Sequence, residues 1–478
     1  MMPRTERPGK GPGLGTGPSA IAENYFGSAF YMIKLRQLSE SQLMHIPSWP
    51  FLPNPSPTRL SHAKDCYLYL EDGSKVLDAA GGAIVTNIGH GRQRVAAAIA
   101  TASANTSYTV PTFMTPERER MLTELHAHWM PEHLSHVHIT CSGSEGNEAA
   151  MKMAVLYHAA NGHPERNVIL ARDVSYHGTT LTTAAVSGHP SRQKGLTGYL
   201  PECPRIKTPY PLRCPVGSDP DTVTDYYLDD LRQTIADIGA DRIAALIAEP
   251  INGSSGGAIE PPEGYWPRAE AILKEHGILL IMDEVMTGFG RLGHRFGAER
   301  YNLTPDLLVS GKGLAGGYAA ITGVFGTQAI SEAISDAGFG LMFHTFSALP
   351  QSCAAATEVL QILREEALIE RCAETGERLL QMLKDRLGQH PHVAEIRGQG
   401  LLIALEVVED RETLTPYLES DRIAEKLVAH AMDHGVFFYP GGTGVVRDIV
   451  TIGAPYIMVD EDLDLIVDTL DGALATLN

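Results

Sequence analysis

Positive charge is in short supply in this chain of 478 residues: 38 Lys and Arg stand against 57 Asp and Glu, a net charge of −19. Such a surface repels phosphate backbones, which argues against nucleic-acid binding and against docking on anionic membranes. No apolar run approaches the roughly 18 residues that span a bilayer. The six cysteines (Cys66, Cys141, Cys203, Cys214, Cys353 and Cys372) are scattered and never form a Cys-x-x-Cys pair. That argues against a zinc ribbon and a disulfide framework, and fits buried thiols in a reducing cytoplasm. A secretory leader is missing too. The basic, Gly/Pro-rich start MMPRTERPGKGPGLGTGPSA has no apolar segment behind it and reads as a flexible tail over residues 1–24. The expectation is a soluble cytoplasmic protein.

Aromatic residues are only 7% of the chain, whereas glycine and proline number 47 and 30, the material of tight turns and close backbone approaches. Apolar residues at 44% and charged residues at 20% are ordinary for a globular enzyme. The length suggests about two to four domains. Residues 67–77, YLYLEDGSKVL, read as two strands turning at Asp72–Gly73. Beyond residue 78, helical stretches such as 92–107 and 118–129 alternate with short, wholly apolar runs at 137–140, 167–171, 244–248, 278–282 and 307–309. Runs of that kind predict strands covered on both faces, in a mostly parallel sheet with crossover helices. A helical region at 352–387, strands at 393–397, 400–407 and 436–439, and a helix from Glu461 predict a smaller α+β domain. The Pro-rich stretch 201–220 reads as a surface loop. The expected division is a segment 25–77 that joins the small domain, a large domain over 78–345 and a small domain over 346–478.

Four features carry chemistry. In CSGSEGNE, residues 141–148, a small-residue turn follows the run VHIT and opens a helix. Free N–H groups and the helix dipole converge there on an anion, with Gly143 and Ser144 at the turn; an ordinary capped helix start is the alternative. Asp283 ends the run GILLIMD, at the end of a strand where open α/β sheets bind ligands; it could instead cap the next turn. Lys312, in DLLVSGKGLAGG, also follows a strand and sits among small residues. A lysine so placed can lose its proton and attack carbonyls; the alternative is a solvent-facing loop lysine. In SYHGTT, Tyr176 offers a face for a flat ring and Gly178 keeps the approach open, although loop packing would use the same residues. His133, His136 and His138 have no companion carboxylates or cysteines, so no metal is expected. A phosphate cradle, a stacking aromatic, a buried carboxylate and a nucleophilic lysine at strand ends of one sheet are the parts that hold pyridoxal phosphate.

With those residues in view, the sequence closely resembles the class III pyridoxal-phosphate aminotransferases, the subgroup of ω-amino acid and amine:pyruvate transaminases. The most specific block is ILLIMDEVMTGFGRLGHRFGAERYNLTPDLLVSGKGLAGGYAA, residues 278–320, including the spacing from Asp283 to Lys312. The resemblance implies a fold-type I α/β enzyme in which Lys312 carries the cofactor as a Schiff base and Asp283 pairs with the pyridine nitrogen. It implies that Val285 and Tyr176 pack on opposite faces of the ring and that Gly143 and Ser144 bind the phosphate. Glu249, in AEPINGSSGG, would order the ring neighbourhood, and Thr345, in HTFS, would reach the phosphate of a partner subunit. Arg447 lies where related enzymes keep a mobile arginine for the substrate carboxylate, but Arg447-Asp448-Ile449 stands where the usual pattern has Gly-Asp-His. Ala83 replaces a bulky Trp of several amine transaminases, which implies a wider pocket. The implied reaction is transfer of an amino group from a primary amine or ω-amino acid to a keto acid, pyruvate foremost, by a ping-pong route through pyridoxamine phosphate. The implied assembly is an obligate homodimer, with pairing of two dimers into a tetramer left open. A decarboxylase or aminomutase on the same scaffold is the alternative, and a regulator without turnover is disfavoured by the missing basic recognition helix.

Overall fold

The computed structural model describes residues 58–477 apart from 197 and 445. The tail expected over residues 1–24 and most of the segment 25–77 lie outside the described residues. Among the described residues the chain forms three sheets. The strands are β1 (Leu60–Lys64), β2 (Tyr67–Leu70), β3 (Lys75–Asp78), β4 (His136–Thr140) and β5 (Val168–Arg172). They continue with β6 (Arg205–Ile206), β7 (Ile243–Ala248), β8 (Leu279–Asp283), β9 (Leu307–Ser310) and β10 (Thr322–Gly326). The last five are β11 (Val393–Gln399), β12 (Leu402–Val407), β13 (Val436–Phe437), β14 (Tyr439–Thr443) and β15 (Val446–Ile452).

The central sheet has seven strands in the order β4-β10-β9-β8-β7-β5-β6. Only β10 runs antiparallel to its neighbours, so the other strands share one direction. Every residue of β7, β8 and β9 is buried, because helices cover both faces and leave no side for polar residues. That explains why the apolar runs showed no alternation. Six-residue burial of this kind is worth about 1.5–3 kcal/mol for each large aliphatic side chain, and it fixes the strand ends on which the site is built. The C-terminal ends of β4, β5, β7, β8 and β9 open on the same edge, the position at which parallel sheets bind ligands.

The sheet β11-β12-β15-β14 is antiparallel throughout. The expected hairpin turns at Gly73, whose φ is 86°, and the Asp72 carboxylate accepts hydrogen bonds from the Ser74 N–H at 3.0 Å and from its hydroxyl at 2.6 Å. Its second strand, β3, pairs in parallel with β13, which ties chain segments far apart in sequence.

Several elements differ from expectation. The helical region at 352–387 is two helices, Pro350–Glu365 and Leu368–Leu387, broken at Ala367 with φ 50°. No Gly or Pro marks that break, so the sequence pattern ran through it. The stretch 118–129 becomes the helix Pro116–Glu124 followed by a widened turn, Leu125–Trp129. The single strand expected at 436–439 is split at Phe438 between two sheets, since β13 pairs with β3 and β14 with β15. The stretch 201–220 holds an edge strand, β6, paired in parallel with β5; two residues are too few to show a period. β10 escaped notice because glycines flank its short apolar core, TGVFG.

Candidate active site

The strand ends enclose a cavity of about 280 Å³. Gly143, Ser144, Tyr176, Gly178, Glu249, Asp283, Val285 and Lys312 all line it. Five separate chain segments therefore bring these residues together, which spacing in sequence could not show.

The helix Gly143–Ala160 opens on this cavity. Ser142 caps it by accepting from the Glu145 N–H at 3.2 Å, while the Glu145 carboxylate reaches back to the Cys141 N–H at 2.8 Å. This pair of bonds fastens the first turn at both ends, the second reaching the residue before the N-cap. The Ser144 hydroxyl accepts from the Thr179 N–H at 3.1 Å, which links the helix start to the loop after β5. Two glycines are required by space. A Cβ on Gly143 would lie 2.8 Å from the Val285 side chain, and one on Gly178, at φ 140°, would lie 2.4 Å from the Ser144 hydroxyl. Larger residues at either point would fill the cradle in front of the helix N-terminus.

Asp283 is the last residue of β8 and is 4% exposed. One carboxylate oxygen accepts from Asn147 Nδ2 at 2.7 Å and faces His177 Nδ1 at 2.8 Å; the other accepts from the Val285 N–H at 3.0 Å. These partners satisfy the hydrogen-bonding capacity of a buried carboxylate. His177 and Asn147 were both missed in the sequence reading. His177 sits inside the quoted SYHG motif, and Asn147 lies one helical turn beyond Ser144, so the signal was one of helical spacing. His177 Nε2 and Asn147 Oδ1 are buried without a protein partner, which leaves polar capacity for a ligand or water. Glu284 points away from this arrangement, as alternation requires. Its carboxylate accepts from the Gly297 and Ala298 N–H groups at 2.6 and 2.7 Å and from the Thr287 hydroxyl at 2.8 Å.

Lys312 opens a tight turn directly after β9, with φ 34°. A left-handed conformation at a non-glycine residue costs of the order of 1–3 kcal/mol and is retained where the surroundings enforce it. Burial pushes its ammonium down to about 8, assisted by the charges of Arg291 and Arg192 and opposed by Asp283 and Glu249. A large fraction of the amine is thus neutral in mildly alkaline solution. Glu249 follows β7 and accepts from the Gly253 N–H at 2.8 Å and from the Tyr176 N–H at 3.4 Å. Burial, with a further push from Asp283, raises its carboxyl to about 7, opposed by His177 and by those N–H groups.

Three expected residues lie elsewhere. Arg447 is held by carbonyl oxygens, donating to Tyr417 at 3.1 and 2.5 Å and to Gly444 at 3.1 Å. It is not among the cavity-lining residues, and these three hydrogen bonds direct its guanidinium to the backbone of Tyr417 and Gly444. Ala83 is exposed, and it is Val85, two residues on, that lines the cavity; the irregular backbone at Gly82 and Ala83 turns the chain between them. Thr345 is exposed and does not line its own chain's cavity. Its neighbour His344 faces the Glu145 carboxylate at 3.4 Å, which ties that segment to the helix that opens on the site. Of the histidines weighed for a metal, His133 faces the Pro305 carbonyl at 3.2 Å and His136 the Ser135 hydroxyl at 2.9 Å.

A lysine of lowered basicity, a strand-end carboxylate held by Asn147 and His177, an aromatic wall and a helix N-terminus with a small-residue cradle form a donor set that suits pyridoxal phosphate. Comparison with known proteins agrees. The family model for class III aminotransferases matches residues 53–474. The chain is 33% identical to the uncharacterized aminotransferase YodT of Bacillus subtilis, over 87% of this chain and 95% of that one. It is 32% identical to the putrescine–pyruvate aminotransferase of Pseudomonas aeruginosa, covering 85% of this chain and 88% of the relative. A PLP-bound amine transaminase from an uncultivated Pseudomonas species superposes with a TM-score of 0.84 at 32% identity, over 92% of this chain and all of the other. The chain is an α/β protein that belongs to the class III aminotransferases, a family of enzymes dependent on pyridoxal phosphate.

Proposed function

We propose that this aminotransferase moves an amino group from a primary amine or ω-amino acid to a keto acid, with pyruvate the favoured acceptor. The observation that carries this reading is the meeting of Lys312, at about 8, with Asp283 in one cavity. Pyridoxal phosphate, when bound, supplies an electron sink and a temporary carrier for the amino group. The Gly143–Ser144 turn would hold its phosphate at the helix N-terminus, and Tyr176 and Val285 would pack against its ring. Asp283, oriented by Asn147 and His177, holds a positive N–H against its carboxylate. Lys312 acts twice, as the amine that bonds to a carbonyl and as the base that removes and returns a substrate proton at Nζ. Glu249 stays close to neutrality and holds the loop of Tyr176. The putrescine–pyruvate relative supports transfer to pyruvate over decarboxylation or mutase chemistry.

The test is the visible absorbance of the purified holoprotein. The band should fall when a primary amine is added and return when pyruvate follows, as a ping-pong exchange requires. A band that no amine changes would move the assignment to a decarboxylase or mutase.

The proposed assembly is a homodimer in which Thr345 completes the partner's phosphate site. Exposed apolar residues support it: Phe346 is 64% exposed and Met342 80%, and Phe346 packs edge-on against Tyr108, itself half in solvent, at 6.3 Å. Apolar surface of this kind beside a site marks an interface. A sedimentation mass of one chain would end this part of the proposal. A domain boundary after residue 345 is supported by the central sheet, which is complete before it, and by β11-β12-β15-β14, which follows it. A cytoplasmic location is supported by six unpaired cysteines. No helix of the described residues is long and apolar enough to cross a membrane.

A further inference from the structure

A keto acid entering this cavity carries a carboxylate towards two carboxyl groups already there, Glu249 and Asp283. In that half-reaction Lys312 is free of the cofactor and serves as the base, so recognition of the acid's carboxylate falls to another cation. The nearby arginines are mostly committed. Arg447 is tied to the carbonyls of Tyr417 and Gly444. Arg291 is buried and donates to the carbonyls of Leu401, Ala454 and Thr86. Arg172 is buried against Trp266, with its guanidinium 4.5 Å from the ring centre; Nη1 donates to the Glu249 carbonyl, Nε and Nη2 have no protein partner among the described residues, and the residue does not line the cavity.

Arg192 differs from all three. It lies on the short helix Pro190–Gln193, which follows the loop of Tyr176 in the chain. Its guanidinium carbon is 4.4 Å from the centre of the Tyr176 ring, and Tyr176 lines the cavity. Among the described residues it forms no ion pair with a carboxylate, and its side chain is exposed. The backbone beneath it is pinned: Gln193 Nε2 donates to the carbonyls of Ala184 and Ser187 at 2.8 and 2.7 Å, and the Arg192 N–H donates to the His189 carbonyl at 3.0 Å. His189 in turn packs edge-on to Tyr176 at 6.4 Å. The contact with Tyr176 engages only part of the guanidinium, which carries five N–H donors, and that fork matches a carboxylate. Arg192 does not itself line the cavity, and Tyr176, on which it lies, is its link to that wall.

We infer that Arg192 binds the carboxylate of the keto acid acceptor, the task that the sequence pattern had assigned to Arg447. The inference rests on the transaminase reading above and adds to it the residue that recognises the acid. It also accounts for a site able to take amines without a carboxylate, because the guanidinium stands on Tyr176 at the edge and leaves the Lys312–Asp283 pair undisturbed.

The test compares pyruvate with acetaldehyde, the same molecule without its carboxylate, as acceptors for one fixed amine in the holoenzyme. Arg192→Gln should lower kcat/KM for pyruvate by about ten- to a hundred-fold, mainly through KM, the size expected for a charge-assisted hydrogen-bonded pair. The pyruvate-to-acetaldehyde ratio should fall by at least about ten-fold, and Arg192→Lys should restore part of it. A ratio that stays the same, or a parallel loss on both acceptors, would overturn the assignment. Calorimetric titration of the holoprotein with propionate gives a second readout that involves no turnover. Binding weakened in Arg192→Gln supports the inference, and unchanged binding sinks it. If the unaltered enzyme transaminates neither acceptor, the transaminase reading has failed, while the propionate titration still decides the role of Arg192.

Discussion

Replacing Lys312 by alanine should reduce turnover by at least about 10⁴-fold, the upper range for a positioned acid–base group, and the loss should exceed that of any other single change in the cavity. The reason lies in its two duties, which no neighbour can assume. Glu249, whose carboxyl burial raises to about 7, is held by the Gly253 and Tyr176 N–H groups. It also lacks a nitrogen with which to bond to a carbonyl. A measurement independent of turnover accompanies this expectation. Borohydride reduction of the cofactor-loaded protein, followed by mass spectrometry, should add one cofactor adduct to the unaltered chain and none to Lys312→Ala. An adduct in the variant would show that another amine holds the cofactor.

The same residue sets the pH profile of cofactor capture by the apoprotein. A lysine with an ordinary value near 10.4 would gain neutral amine steadily up to pH 10. Lys312, depressed to about 8 by burial, should gain about ten-fold per pH unit below 8 and level off above it. Stopped-flow absorbance across that range distinguishes the two curves. A rate still climbing at pH 10 would show that burial does not depress this amine.

Asp283→Asn should leave cofactor capture intact and lower turnover by about 10²–10⁴-fold, the equivalent of removing one partner from a buried charge pair. The amide has the same shape, but its hydrogen bonding is wrong at both ends. Asn147 Nδ2 and His177 Nδ1 meet one carboxylate oxygen, and the Val285 N–H donates to the other. Whichever way the amide turns, its NH₂ group meets groups arranged to serve an acceptor, and the negative charge is gone. The reduced adduct measured by mass should persist in this variant, in contrast to Lys312→Ala. Near-normal turnover would mean that the carboxylate is structural.

Much of this could be read along the chain because strongly buried strands advertise themselves. The runs ending at Thr140, Asp283 and Ser310 are short and mostly apolar, and chemistry-bearing residues follow at once: the 141–148 turn, Asp283 itself and Lys312. Local signals sufficed where the physics was local, as at the Asp72–Gly73 turn and the capped start of the helix at Gly143. They failed where a partner distant in the chain decided the outcome. The Ala367 break has no sequence mark, and β6 exists only because β5 lies beside it.

The sequence by itself determined the strand–helix alternation, the positions of Lys312 and Asp283 at strand ends, and the family to which the chain belongs. Burial pattern and small-residue turns are written residue by residue, and a buried charged group at a strand end is too costly to be incidental. Only the tertiary structure decided how the side chains are oriented. It showed that Asn147 and His177 converge on Asp283, that Arg447 spends its donors on Tyr417 and Gly444, and that Arg192 lies across Tyr176. Those outcomes depend on which segments meet at the sheet edge and on which hydrogen-bond donors remain unspent once they have met.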